Sequence, residues 1–190
     1  MITVRHMESE EVESIRELDV SESDTIVYKW IGGQIVAVSE QWQRPRWDAS
    51  ECDKRISKIR ERLAKGEALI GAFDKDLLVG AAIFRPHLDP GRSELAGLWI
   101  SRKYRRQGIA TQLTREVERL AQKAGITALY VSACPSRSAV GFYRSRGFRP
   151  TQNVNKELYE QEPEDIHMIM KLGTSREWDE DTARTSKQQS

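Results

Sequence analysis

Apolar positions along the chain fall into short alternating runs and longer helical repeats. Residues 2–6 (ITVRH) alternate as a short strand, and Ser9 opens a helix with glutamates in its first turn that ends near Asp19. TIVYKWI and QIVAVSEQW are β-branched or alternating runs joined by Gly32-Gly33, which predicts a hairpin over 25–42. After Pro45 and Trp47, Ile56, Ile59 and Leu63 recur at helical spacing in a highly charged segment that stops at Gly66, the mark of an amphipathic helix. ALIGAFD and LLVGAAIFR, separated by Asp74-Lys75-Asp76, predict a second hairpin with a buried face, and PHLDPG breaks the pattern.

ELAGLWIS (94–101) is the next strand, and from Gly108 the set Ile109, Leu113, Val117, Leu120, Ala121 and Ala124 marks one face of a long helix that Gly125 ends. TALYVSAC reads as a buried strand that should stop at Pro135, because proline cannot donate to a ladder. SRSAVGFYRSR is a short helix, Gly147-Phe148 restarts extended chain, and IHMIMKL (166–172) is a last strand. From 173 to 190 the composition is charged and rich in Ser, Thr and Gln, so that segment is expected to be a disordered tail. No repeat or linker interrupts 1–172, and the whole predicts one mixed α/β domain of the α+β type.

Length and charge narrow the function. A chain of 190 residues can enclose a ligand cleft within one domain, and 30 Lys and Arg against 29 Asp and Glu leave no overall field to steer polyanions. The local cluster Arg102, Lys103, Arg105, Arg106, with only Tyr104 interleaved, is too small to indicate nucleic-acid binding. Cys52 and Cys134 lie outside any CxxC, and His6, His87 and His167 are scattered, so neither a disulfide framework nor a metal is expected. No apolar run approaches the roughly 20 residues that span a bilayer, and the amino terminus is acidic where a signal peptide would be apolar. A cytoplasmic protein without a membrane partner, monomeric or homodimeric, is the expectation.

The stretch RKYRRQGIATQL (102–113) lies between a strand and a helix, where an anion can meet the unpaired amides and positive dipole of the helix start. Gly108 permits close backbone approach and Ala110 keeps the side chain small. Alone, R-x-x-G-x-A is also compatible with a charged loop before an ordinary helix. Its neighbours ELAGLWI (94–100) and AVGFYRSRGF (139–148) add order and spacing, and together the three segments resemble the GNAT superfamily of acetyl-CoA-dependent N-acetyltransferases.

That resemblance, specific over 68–150, implies a central twisted, mostly antiparallel sheet flanked by helices, with the 25–42 hairpin as an amino-terminal addition. It assigns Arg105, Arg106, Gln107, Gly108, Ile109, Ala110 and Thr111 to the CoA pyrophosphate. Backbone groups of Leu98, Trp99 and Ile100, beside a strand bulge near Gly97, would meet the pantetheine and supply an oxyanion donor. Tyr143 matches the family's general acid towards the CoA thiolate, its alternative being packing against Phe142. Ser136 stands where the family often has an Asn on the pantetheine arm, and by that resemblance it would offer the arm a shorter, hydroxyl-bearing group.

The attacking amine must lose a proton, since a lysine-like amine has a pKa of roughly 10.4. Glu94 occupies a strand position used as base in some members, with Glu40 and His87 as weaker candidates and an exposed strand-end carboxylate as the alternative. Cys134 is read as a small buried hydrophobe rather than a nucleophile. Tyr28, Trp30 and Trp42 of the hairpin could wall the acceptor cleft or simply pack. Between 155 and 165, Glu157, Glu160, Glu162, Glu164 and Asp165 face one lysine, a loop that beside an active site would attract a cationic acceptor. The expected activity is metal-free acetyl transfer from acetyl-CoA to a small-molecule primary amine. A peptide or protein amine is the close alternative, and a non-catalytic CoA-binding regulatory domain is the alternative of another class.

Overall fold

The computed structural model describes residues 1–173; the expected tail lies, but for its first residue, outside the described residues. Seven strands form one sheet in the order β1 (Ile2–Met7), β4 (Ala68–Asp74), β5 (Leu77–Asp89), β6 (Arg92–Ile100), β7 (Ala128–Ala133), β9 (Ile166–Lys171) and β8 (Arg149–Pro150). All neighbours pair antiparallel except β6 and β7, which are parallel. The helix α2 (Ile109–Lys123) makes their crossover, as a parallel connection requires. β2 (Glu22–Ile31) and β3 (Gln34–Arg44) form the glycine-turned hairpin as a separate two-stranded sheet, longer at both ends than the apolar runs suggested.

Each sheet face has its own core. α2 lays Ile109, Leu113, Val117 and Ala121 over one face, where they meet Ile70, Val79, Leu129 and Phe148. The other face is covered by a 3-10 helix (Ser9–Glu17) and by α1 (Ala49–Ala64), through Val12, Ile15, Ile56 and Ile59 against Leu69, Phe73 and Leu78. Complete burial of these side chains on both faces is worth on the order of 1.5–3 kcal/mol each before conformational entropy is subtracted. α1 starts where Asp48 accepts from the Glu51 amide at 2.8 Å, and Glu51 returns a bond to the Asp48 amide.

Two segments differ from their expected form. PHLDPG does not end β5 at Arg85: the strand continues to Asp89, and Pro86 is tolerated because the register with β6 lapses between Arg85 and Asp89. The acidic 155–165 stretch contains a helical turn, α4 (Lys156–Gln161), capped by Asn155 Oδ1 accepting from the Leu158 amide at 3.1 Å. Among the described residues no helix is long and apolar enough to cross a membrane.

In β6 the register slips by one residue between Gly97, opposite Ile83, and Leu95, opposite Phe84, so Ala96 is the extra residue of a bulge. Trp99 folds back there: a Cβ on Gly97 would lie 2.6 Å from its ring, and the ring meets Trp47 edge-on at 5.6 Å. Gly97→Val is therefore expected to cost about 1–3 kcal/mol in urea unfolding and to alter the near-ultraviolet tryptophan circular dichroism. An unchanged spectrum with full stability would show that Trp99 moves freely.

Candidate active site

The parallel ladder between β6 and β7 is three residues long, Arg92 to Glu94 against Ala128 to Tyr130. Beyond it the strands separate, and among the described residues β6 has no partner on that side from Leu95 onward. Because the Ser101 amide donates to Val79 at 2.9 Å, the alternation of the ladder turns the peptide groups of Trp99 to β5 and those of Leu98 and Ile100 to the open edge. The expected strip Leu98–Ile100 is thus an edge of alternate residues, with Trp99 contributing its ring rather than its backbone.

The strand then runs through a short 3-10 turn (Arg102–Tyr104) into two left-handed residues, Arg106 (φ 63°) and Gly108 (φ 78°), before α2 begins at Ile109. Among the described residues, the backbone amides of 106 to 111 donate to no carbonyl. Six consecutive free N–H groups at a helix start have the geometry to receive an anion without any side chain. Arg106, Gly108, Ile109, Ala110 and Thr111 line a groove of about 340 Å³, as do the β6 residues Leu98, Trp99 and Ile100.

Arg105 also borders this groove, but its guanidinium is bound inward, to the Val20 carbonyl at 2.9 Å, to the Ile100 carbonyl at 3.2 Å and to Glu22 at 3.5 Å. It ties the turn to the hairpin. Gln107 does not line the groove; its Nε2 donates to the Lys103 carbonyl at 3.0 Å. Ser136 lines it, yet its hydroxyl caps α3 (Arg137–Ser145) by accepting from the Ala139 amide at 3.2 Å, so it is held by the fold.

A second chamber, about 320 Å³, adjoins the groove, and Arg44, Leu98, Trp99, Ala139 and Tyr143 line both. Tyr143 thus stands where the two cavities meet. Its ring packs edge-on against Phe142 and Phe148 at 5.5 and 5.3 Å, and burial raises its pKa well above the usual phenol value, so it holds its proton.

Glu94 is not an exposed strand-end carboxylate. It is 3% exposed, borders neither cavity directly, and its Oε2 has no hydrogen-bond partner, with Arg85 Nη1 at 3.6 Å. Burial raises its pKa to about 7, against the opposing pull of Arg62 and Arg85. Glu40 pairs with Lys29 on the exposed hairpin at 2.7 Å, and His87 borders an open basin beside Arg85 and Glu157, so neither faces the chamber. The Cys134 thiol does face it, and burial raises its pKa, which keeps it protonated.

Sequence reasoning missed most of the chamber. Tyr28, Trp30 and Trp42 do not line it, and the aromatic walls are Trp47 and Trp99. Of the acidic stretch, Glu162 and Asp165 reach the chamber, while Glu157 pairs with Arg85 and Glu160 with Lys156. Asp165 accepts from the Ser132 hydroxyl at 3.2 Å, and burial together with Glu162 raises its pKa to about 7. α1 adds Arg55, Lys58 and Arg62 to the lining of the same chamber. The signal was legible as cations at i, i+3 and i+7 beside the apolar Ile59.

The sequence model of the family described as Acetyltransferase (GNAT) family matches residues 36–148. A curated relative, "Probable N-acetyltransferase 14" of Xenopus tropicalis, is 31% identical over 88 residues, which are 45% of this chain and 42% of that protein; the match spans less than half the length of the relative. Among solved structures, nourseothricin acetyltransferase superposes with a TM-score of 0.69 at 17% identity, covering 90% of this chain and 99% of that one. The paia N-acetyltransferase of Thermoplasma acidophilum, solved in complex with coenzyme A, gives 0.59 at 17% identity, with 90% and 99% covered. At that identity the likeness establishes the fold.

Glu94 makes the site a liability for stability. Its folded pKa is raised, so its charging opposes folding above the unfolded value and the penalty is complete above about pH 7. Glu94→Gln should raise the melting temperature at pH 8, by an amount equivalent to at most about 3 kcal/mol, with the gain vanishing towards pH 4. Equal melting temperatures at pH 8 would mean that Arg85 compensates the charge fully.

Proposed function

The chain belongs to the GNAT family of acetyltransferases, and on that premise we propose that it transfers acetyl from acetyl-CoA to a primary amine of a small molecule, by direct attack in a ternary complex. The observation that carries the reading is the continuity of the free amides of 106 to 111 with the open edge of β6. An anionic pyrophosphate suits the first, and an extended amide-bearing arm suits the second as an added strand. Two joined cavities with Tyr143 at their junction support two substrates meeting there.

The roles follow from the chemistry of each group. Glu94, with a pKa of about 7, takes the proton of the amine through a water, since it borders neither cavity. The Leu98 amide on the open edge donates to the thioester oxygen as negative charge develops on it. Tyr143 gives its proton to the sulfur as the carbon–sulfur bond breaks and the carbon–nitrogen bond is complete. A chamber of about 320 Å³ walled by Trp47 and Trp99 suits a small amine better than a folded protein surface.

Release of free CoA from acetyl-CoA over a panel of amines tests the reading; binding without turnover on any amine would favour a regulatory domain. Gly108→Val should abolish the acetyl-CoA thermal shift, because valine resists the positive φ and its side chain stands where an anion would approach; a retained shift would move the pyrophosphate elsewhere. Tyr143→Phe should slow single-turnover acetyl transfer about a hundredfold, and an unchanged rate would leave the ring a packing role only. The rate in single turnover should fall below about pH 7 as Glu94 is protonated, and Glu94→Gln should remove that limb along with most activity.

A further inference from the structure

The chamber is lined by Arg44, Arg55, Lys58 and Arg62, and among the described residues the fold answers only one of these cations with a carboxylate. Arg62 pairs with Glu67 at 2.6 Å, but Arg44, Arg55 and Lys58 form no ion pair among the described residues. The Arg55 guanidinium lies 4.1 Å from the centre of the Trp47 ring, and its buried Nε donates to nothing. A buried charged donor without an acceptor is costly unless a ligand supplies one. CoA phosphates do not explain the set, because Arg55, Lys58 and Arg62 border the chamber and not the groove; Arg44 alone borders both.

Glu162 and Asp165 line the same chamber and stand close enough to each other that, with burial, the Asp165 pKa is raised to about 7, so the pair is not fully charged at neutral pH. The chamber therefore carries net positive charge. That balance opposes a polyamine and leaves one acidic corner beside Ser132 and Tyr143 for a single amino group.

We infer that the acceptor is an amine that also carries a carboxylate, an amino-acid-like molecule whose oxyanion is bound by Arg55 and Lys58 while its amino group faces Tyr143 and Asp165. The inference rests on the acetyltransferase reading and adds the acceptor class to it. Trp47 and Trp99 wall the space for the carbons between the two groups. Guanidinium and ammonium donors to a carboxylate are charge-assisted bonds, and the amide of the same molecule cannot replace them.

The test compares amino acids with their carboxamides, with spermidine as polycation, in turnover with acetyl-CoA and in calorimetric binding to the CoA-loaded protein. The acids should exceed the amides by about tenfold or more in kcat/KM and in affinity, although the amides present more of the free amine. Lys58→Glu, at an exposed position that should not threaten folding, and Arg55→Gln should each reduce that ratio severalfold while leaving the acetyl-CoA thermal shift intact. Amides equal to acids, spermidine as the best acceptor, or a ratio unmoved in both variants would overturn the acceptor assignment while acetyl transfer stands. No acetyl-CoA shift and no turnover with any amine would bring down both. An inactive preparation still decides, because amino acid binding that does not exceed amide binding overturns the inference.

Discussion

Three residues of parallel pairing between β6 and β7 hold the two halves of the sheet together, and everything around the site depends on their brevity. With a longer ladder the backbone groups of Leu98 and Ile100 would be consumed in it and the sheet would be closed. A shorter one would separate β7, β9 and β8 from the rest. The bulge at Ala96 and the halt of β7 before Pro135 limit the ladder from both sides, one by twisting β6 away and the other by ending its partner. The opening is built by the local sequence of each strand and needs no distortion of the cores above and below it.

The same economy governs the anion turn. Its positive character comes from peptide groups fixed by two left-handed residues, while the arginine most prominent in the sequence there, Arg105, binds Val20, Ile100 and Glu22. Charge on that side chain therefore serves the geometry of the amides. The interior treats its acids in the opposite manner. Glu94 and Asp165 are buried far enough that each sits near pH 7 at the changeover between charged and neutral forms.

The order of strands and helices was legible because each depends on a periodicity of side chains near in sequence: the glycine-turned hairpin, the apolar face of α2, the strand that stops at Pro135. The bulge in β6 and the turn before α2 were legible for the same reason, since both are local, and Gly97 and Gly108 mark them. Arg105 and Gln107 were misjudged in part, because where a long side chain turns is set by acceptors remote in sequence, such as Val20 for Arg105. The chamber was hidden more completely. Its walls come from α1, β6, β7 and the segment after α4, among others, and nothing local to Glu162 and Asp165 says that Arg55 and Lys58 share their cavity. Pro86 gave the wrong stop for β5 because a lapse in register is a property of two strands together.

The hairpin of β2 and β3 lends Glu22 to the groove and Arg44 to both cavities, yet it belongs to no larger sheet. It is fastened by the Tyr28 amide donating to Pro135 at 2.7 Å, by Arg137 on Asp24 at 3.0 Å and by Arg105 on Glu22, with Tyr28 and Ile35 against the main core. A two-stranded ribbon is marginal by itself. Its amides should consequently exchange with solvent through a local opening of lower free energy than that of the seven-stranded sheet. The roof of the cleft and its floor are then separate folding units, and whatever occupies the cleft and touches Glu22 or Arg44 contributes to the stability of the weaker one.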